Sequence, residues 1–244
     1  MPIITNEEIN KIPGSNFQFS AVKPENLGAA EYTLVTVVID ITGSVYMFSK
    51  NLLTMLQEVI KACQKNPRSE NLMVRVVAFN NRIHELHGFR LLSDINPADY
   101  TEFNCDGNTA LYDATYSSIA ATLAYADSLM KNDFNVNGCV YIITDGEDNA
   151  SHTTKKMILA EIEKSKKGEL IESLITVLIG INTADCKNYL DAFKDEAGLT
   201  QFVDMGEVTP GKLAKLAGFV SKSISNQSQS VGTGSAAAAT PLVF

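Results

Sequence analysis

The chain has 244 residues, 45% of them hydrophobic, 20% charged and 8% aromatic, an ordinary globular composition with room for one large domain or two small ones at about 150 residues per domain. A chain of this length buries roughly 70% of the surface exposed on unfolding, so its core needs neither disulfides nor a structural zinc. Twenty Lys and Arg against 28 Asp and Glu give a formal charge of −8, which opposes the counterion release that nucleic-acid binding relies on and argues against DNA or RNA as a partner.

Residues 1–30 read as an N-terminal arm. Within it Thr5-Asn6-Glu7-Glu8 suggests the capping box of a short helix, broken by Pro13-Gly14-Ser15-Asn16. From Tyr32 to Ile39 a near-continuous apolar run ending at Asp40 predicts a central strand covered on both faces. After Thr42-Gly43-Ser44, the residues Met47, Phe48, Leu52, Met55, Leu56, Val59, Ile60 and Cys63 recur at helical spacing until Asn66-Pro67. Leu72 to Phe79 and Ile83 to Phe89 predict two strands joined by an Asn80-Asn81 turn, a local antiparallel ribbon, followed by a loop over 93–108.

Thr109 opens a helix whose Leu111, Ala114, Ile119, Leu123, Ala126 and Leu129 fall in step, and Cys139 to Thr144 predicts the next strand. Then come a charged helix over Thr153 to Lys167, a strand over Leu174 to Ile181, a helix over Ala184 to Ala197 and a short strand over Thr200 to Val203. Pro210 takes the first position of a last helix that turns Leu213, Leu216, Phe219, Val220 and Ile224 inward. Strands alternating with helices predict an α/β fold, a doubly wound, mostly parallel sheet with helices on both faces, as one domain over 31–226. The Ser/Gly/Ala-rich stretch 227–244 has no periodic core face and reads as a flexible C-terminal tail.

The longest apolar stretch, Leu174 to Ile181, falls far short of the ~20 residues a membrane span needs, and the Met1-Pro2-Ile3 start has no basic n-region. The expectation is a cytoplasmic protein that is neither exported nor membrane-bound. Cys63, Cys105, Cys139 and Cys186 form no C-x-x-C and read as buried thiols of a reducing compartment. Cys105 stands out because it falls in a Gly/Asn-rich loop.

In a doubly wound sheet, ligands bind outside the carboxyl ends of the strands. Three loops there carry oxygen ligands: Asp40-Ile41-Thr42-Gly43-Ser44, Asn108-Thr109 and Thr144-Asp145-Gly146. In an extended loop, alternate side chains project the same way, so Asp40, Thr42 and Ser44 can converge on one cation. Two carboxylates and three hydroxyls make a hard, all-oxygen set, which favours Mg²⁺ or Mn²⁺ over zinc or copper and leaves a position for water or an exogenous carboxylate. Taken singly each loop has a structural reading, since Asp, Thr and Ser are preferred helix caps and Gly a turn residue. Their joint occurrence at three strand ends favours a shared metal site.

These segments, with Gly107-Asn108-Thr109-Ala110-Leu111-Tyr112-Asp113-Ala114 and Ile143-Thr144-Asp145-Gly146-Glu147-Asp148-Asn149, resemble the D-x-S-x-S, threonine-loop and T-D-G elements of a von Willebrand factor A domain. The resemblance covers roughly 31–226, with Thr42 where the family usually has Ser. The A-L-Y-D-A and T-D-G-E-D-N wording is closer to bacterial members, including those of tellurium-resistance type, than to integrin domains. The resemblance implies a metal-ion-dependent adhesion site in which Thr42, Ser44 and, in the ligand-competent state, Thr109 bind Mg²⁺ directly. Asp40 and Asp145 would act through water, and an exposed Asp or Glu of a protein partner would supply the last ligand. It implies a non-enzymatic binding module, with bacterial stress, kinase-linked or phage-related assemblies, larger complexes all, as its setting.

His84 and His87, three apart in a strand, should face opposite sides and share no metal. His152 reads as an exposed helix-start residue, although it lies near the third loop. Glu147 and Asp148 read as groups tuning the site or as a solvated acidic loop, and Lys155, Lys156, Lys164, Lys166 and Lys167 as a solvated basic face. A metal-dependent phosphoryl-transfer enzyme using Asp40 or Asp145 is the alternative, but no phosphate-loop motif occurs and no Lys or Arg sits in the three loops. A third reading gives the tail, through Leu242, Val243 and Phe244, an assembly role.

Overall fold

The computed structural model describes residues 7–167 and 170–233. Its strands are β1 (Glu7–Lys11), β2 (Gln18–Val22), β3 (Glu31–Asp40), β4 (Leu72–Phe79), β5 (Ile83–Leu91), β6 (Asn135–Thr144), β7 (Ser173–Ile181) and β8 (Gln201–Gly206). Its α-helices are α1 (Ser49–Gln64), α2 (Leu111–Met130), α3 (Lys155–Lys167), α4 (Lys187–Ala197) and α5 (Pro210–Thr233). All the strands lie in one sheet of order β1-β2-β5-β4-β3-β6-β7-β8. Strands β4, β3, β6, β7 and β8 run parallel, and β5 turns back antiparallel beside β4, as the Asn80-Asn81 turn implies. The expected doubly wound, mostly parallel α/β fold is therefore the one observed.

Strand β3 shows why. Residues 32–40 are all buried, and successive side chains go to opposite faces. Leu34 and Val38 pack with α2, α3 and α4 on one face, while Val35, Val37 and Ile39 pack with α1 and α5 on the other. The chain steps from β3 to β4 on one side and crosses by α2 to β6 on the other, so the carboxyl ends of β3 and β6 flank the switch point of the sheet. Among the described residues no helix is long and apolar enough to cross a membrane.

The N-terminal segment differs from its expectation. Glu7–Lys11 is a strand, not a helix, paired antiparallel with β2 from Glu7↔Val22 to Lys11↔Gln18. The turn between them uses Gly14 at φ +75, a conformation that costs glycine little. Burial of Phe19, Ala21 and Val22, with Phe19 edge-on to Phe89 and Tyr125, outweighs the local helix signal. Beside β5 the hairpin fits closely, because a Cβ on Gly88 would stand 1.9 Å from the Ser20 carbonyl oxygen. Charge also holds it. Arg75, fully buried, pairs with Glu85 at 2.6 Å, whose other oxygen accepts from the Ser20 amide and hydroxyl at 2.8 and 2.7 Å. Arg90 pairs with Glu7.

The C-terminal end differs as well. Helix α5 passes the expected domain end at 226 and continues to Thr233, with Gln227 and Ser228 buried. Polar anchors hold this turn in place of an apolar face: Asn137 Nδ2 donates to the Gln227 carbonyl at 2.8 Å, and Arg68 Nε to Ser228 Oγ at 3.1 Å. The expected tail residues 234–244, with Leu242, Val243 and Phe244, lie outside the described residues. Strand β6 begins at Asn135, four residues before its apolar run, because Glu31 to Ile39 of β3 pair with Asn135 to Ile143.

Candidate metal centre

Asp40 ends β3 with 0% of its surface exposed. Its Oδ1 accepts from the Thr42 amide at 2.8 Å and its Oδ2 from the Thr144 hydroxyl at 2.6 Å. The β3 and β6 register brings Asp145, the residue after β6, to the same end of the sheet. There Ser44 Oγ donates to Asp145 Oδ1 at 2.8 Å and lies 3.0 Å from Thr42 Oγ1. With its one proton committed to Asp145, Ser44 Oγ accepts the hydrogen bond from the Thr42 hydroxyl. Asp40, Thr42, Ser44 and Asp145 thus form one hydrogen-bonded cluster.

Thr109 is placed beside that cluster and outside it. The loop before it is tied to the first loop, since Gly43 donates to the Gly107 carbonyl at 3.3 Å and Asp106 to the Ile41 carbonyl at 3.0 Å. Buried Thr109 donates its amide to Asn149 Oδ1 at 2.8 Å, and its carbonyl accepts from the amides of Asn149 and Ala150. Among the described residues its hydroxyl makes no hydrogen bond to the other four.

Burial, with a smaller contribution from Asp145, pushes the Asp40 carboxyl up to about 6, although its hydrogen bonds from Thr144 and Thr42 pull the other way. Burial also raises Asp145. Among the described residues no Lys, Arg or His lies within ion-pair distance of either carboxylate. The Cys105 thiol, half-buried and free, is pushed up by burial and by Asp40, Asp106 and Asp145, so it reports the same negative field and stays protonated. A divalent cation fits this donor set, because two carboxylates with hydroxyls and no positive partner leave an unmet demand for charge. No three His, Cys, Asp or Glu side chains converge as a metal group among the described residues, so any ion held here depends on neutral oxygens to fill its shell.

Sequence reasoning missed how the third loop acts. Asp148 Oδ1 accepts from the Tyr112 amide at 3.1 Å, and Ser151 Oγ accepts from the Asp113 amide at 2.9 Å while donating to Asp148 at 2.5 Å. With Asn149 on the Thr109 amide, this loop caps the start of α2 from outside the helix. Asp113 returns the favour to the segment before α3, accepting from the amides of His152 and Thr153 and from the Thr153 hydroxyl at 2.6 Å. The run of Asp, Asn and Ser is the cap signal, but its partner helix lies 36 or more residues upstream. His152 is exposed and enters this network by its amide. The basic face of α3 is partly neutralised in place, by Lys155 with Glu196, Lys164 with Glu161 and Lys167 with Glu163.

The two strand histidines also depart from expectation. A bulge in β5, where Val76 pairs with His87 and Val77 with Glu85, breaks the alternation, and both rings line one cavity. His87 is buried, with Nδ1 donating to the Gly88 carbonyl at 2.8 Å and Nε2 2.7 Å from the Tyr100 hydroxyl, and burial lowers its pKa. The ring is thus neutral and accepts from Tyr100. His84 is exposed and rests on Asn80.

No protein-family model matches the sequence, and no curated protein matches it. The fold is shared with solved structures. The PilB minor pilin from Streptococcus sanguinis superposes with a TM-score of 0.56 at 16% identity, over 82% of this chain and 62% of that one. The pilus adhesin SpaC from Lactobacillus rhamnosus GG gives 0.58 at 10% identity, over 91% and 34%. Proximal thread matrix protein 1 from the mussel byssus, with a zinc-occupied MIDAS motif, gives 0.50 at 19% identity, over 80% and 46%. The chain spans between about a third and two thirds of the length of these structures. At such identities the likeness is one of fold, an α/β architecture shared with proteins of pili and of the mussel byssus.

Proposed function

We propose that the protein is a non-enzymatic, Mg²⁺-dependent binding module of von Willebrand factor A type that captures an exposed Asp or Glu of a partner protein, with Mn²⁺ able to replace Mg²⁺. The observation that carries this reading is the cluster of Asp40, Thr42, Ser44 and Asp145, two carboxylates without a basic partner joined by two hydroxyls at the switch point of the sheet. A likeness of fold to a protein with a metal-occupied MIDAS motif supports it.

In this reading Thr42 and Ser44 hold the ion directly, Thr109 joins them when a ligand arrives, and Asp40 and Asp145 act through water. The ion supplies uncompensated positive charge, which attracts a partner carboxylate to an otherwise acidic chain. The Thr144 hydroxyl and the Thr42 amide keep the Asp40 carboxylate aimed at the cluster. The third loop sets the position of Thr109 through Asn149. Thr42 keeps the hydroxyl of the Ser usual in the family and adds a methyl, which tightens the packing.

The phosphoryl-transfer alternative is disfavoured, because among the described residues neither carboxylate has a Lys or Arg within ion-pair distance to stabilise transferred charge. A reducing, cytoplasmic setting belongs to the same proposal, and the bacterial, tellurium-resistance-like assignment rests on the wording of two loops. The test is capture of protein from the native host by immobilised chain, in Mg²⁺ and in EDTA. Mg²⁺-dependent capture that Ser44→Ala abolishes is expected. Capture indifferent to both overturns the reading.

A further inference from the structure

Next to the candidate metal centre lies a cavity of about 880 Å³, between β5 and the loop over 92–107. It adjoins the centre, because Ile41 and Gly107, which line it, belong to the two loops that Gly43 and Asp106 tie together. One wall is acidic. Asp94, Asp99 and Glu102 line it and are exposed. Among the described residues the Asp94 carboxylate accepts only from Ser93 Oγ at 3.3 Å and that of Asp99 only from Asn96 Nδ2 at 3.1 Å, while Glu102 faces Lys50 at 3.7 Å with both side chains in solvent.

The same wall carries the half-buried rings of Tyr100 and Phe103, and Leu86 adds an apolar surface that is 42% exposed. The positive charges opposite are fewer. Arg90 is committed to Glu7, and His87 is neutral with both nitrogens occupied. Arg82, in the β4–β5 turn, makes no ion pair among the described residues. Asp94 and Asp99, with no ion pair among the described residues, and the rings of Tyr100 and Phe103 on the same loop suit a guanidinium or ammonium group through ion pairing and cation–π contact. An apolar strip suits the aliphatic stem of such a side chain.

We infer that this cavity is a subsite for an Arg or Lys side chain of the partner, lying near the Asp or Glu that fills the metal site. The inference rests on the proposed capture of a partner carboxylate for its second half, yet the cavity acts without the metal. Partner choice then comes from charge order: an acidic residue at the metal and a basic one within reach of Asp94 and Asp99. An acidic residue alone would be held more weakly.

The test is an NMR shift titration of the full chain with N-acetylarginine amide, N-acetylcitrulline amide and N-acetylglutamate amide, in EDTA. Saturable shifts in residues 82–107 with arginine, about tenfold tighter than with neutral citrulline, are expected, and Asp94→Asn combined with Asp99→Asn removes that margin. Both aspartates are exposed, and circular dichroism verifies that the double variant folds. Equal binding of arginine and citrulline, preference for glutamate through Arg82, or no saturable shift each overturns the inference. Loss of Mg²⁺-dependent capture with arginine binding intact refutes the metal-site reading alone, and the reverse result refutes this subsite alone.

Discussion

Ser44 Oγ donates to Asp145 Oδ1 at 2.8 Å across 101 residues of sequence. The contact joins the loop after β3 to the loop after β6, and it exists because Ile39 and Ile143 pair in register just before both loops. It brings together two of the oxygens of the proposed metal site.

Mg²⁺ should therefore stabilise the folded chain. A concentration 100 times Kd contributes ~2.7 kcal/mol by linkage, read as a rise in melting temperature that EDTA reverses. Ser44→Ala should abolish the rise. The variant's metal-free stability should fall by only about 1 kcal/mol, since one hydrogen bond to a partly exposed carboxylate is lost. A metal response unchanged in Ser44→Ala would remove this residue from the site.

Asp40 makes metal-free stability depend on pH. Its folded value of about 6 lies above the ordinary 3.8, so between these values the folded state holds more protons than the unfolded one. Stability is full below pH 3.8 and falls as pH rises through 6, by ~3 kcal/mol in total. Asp40→Asn should flatten this part of the profile in urea unfolding and raise stability at neutral pH. It should also lose the Mg²⁺ response. In the wild type, Mg²⁺ competes with the proton, so calorimetric affinity should weaken below about pH 6.

Asn149→Ala removes the acceptor of the Thr109 amide. The cost should be about 1 kcal/mol, the usual scale for a lost cap, measured by urea midpoint. Capture of an acidic partner should weaken more than binding of Mg²⁺ alone, because in the proposed site Thr109 is the hydroxyl that joins only with the ligand. Equal losses in both would place Thr109 in the resting metal shell.

Gly88→Ala should displace the N-terminal hairpin. The added methyl meets a backbone carbonyl at 1.9 Å, which cannot turn aside as a side chain does, so the penalty should be about 1–3 kcal/mol or more. Glu85→Ala attacks the same junction through charge, leaving buried Arg75 unpaired at a cost of about 3–5 kcal/mol. Limited proteolysis should cut within residues 7–22 in both variants and spare the wild type.

The long elements were legible because their signals are local. Strand β3 is an apolar run that no solvent-facing segment would carry, α1 repeats its apolar residues every three or four positions, and Pro210 marks the start of α5. The hairpin was not legible. Thr5-Asn6-Glu7-Glu8 has a helix-start pattern, and the force that makes Glu7–Lys11 a strand is the fit of Phe19 and Ala21 against a distant β5. The last turns of α5 were missed for a related reason: Gln227 and Ser228 are polar and carry no periodicity, and what holds them is Asn137 and Arg68.

For the candidate site, the oxygen-bearing residues at the strand ends were readable as types and order: a carboxylate and two hydroxyls after one strand, a threonine at a helix start, a carboxylate after another strand. Covalent spacing and the strand-end rule suffice for that, since both act within a few residues. Tertiary structure alone decided that Ser44 meets Asp145, that Thr109 lies outside the cluster with its amide on Asn149, and that the bulge in β5 turns His84 and His87 to one cavity. Each of these depends on register between strands and loops far apart in the chain, where a shift of one residue would send every side chain to the other face.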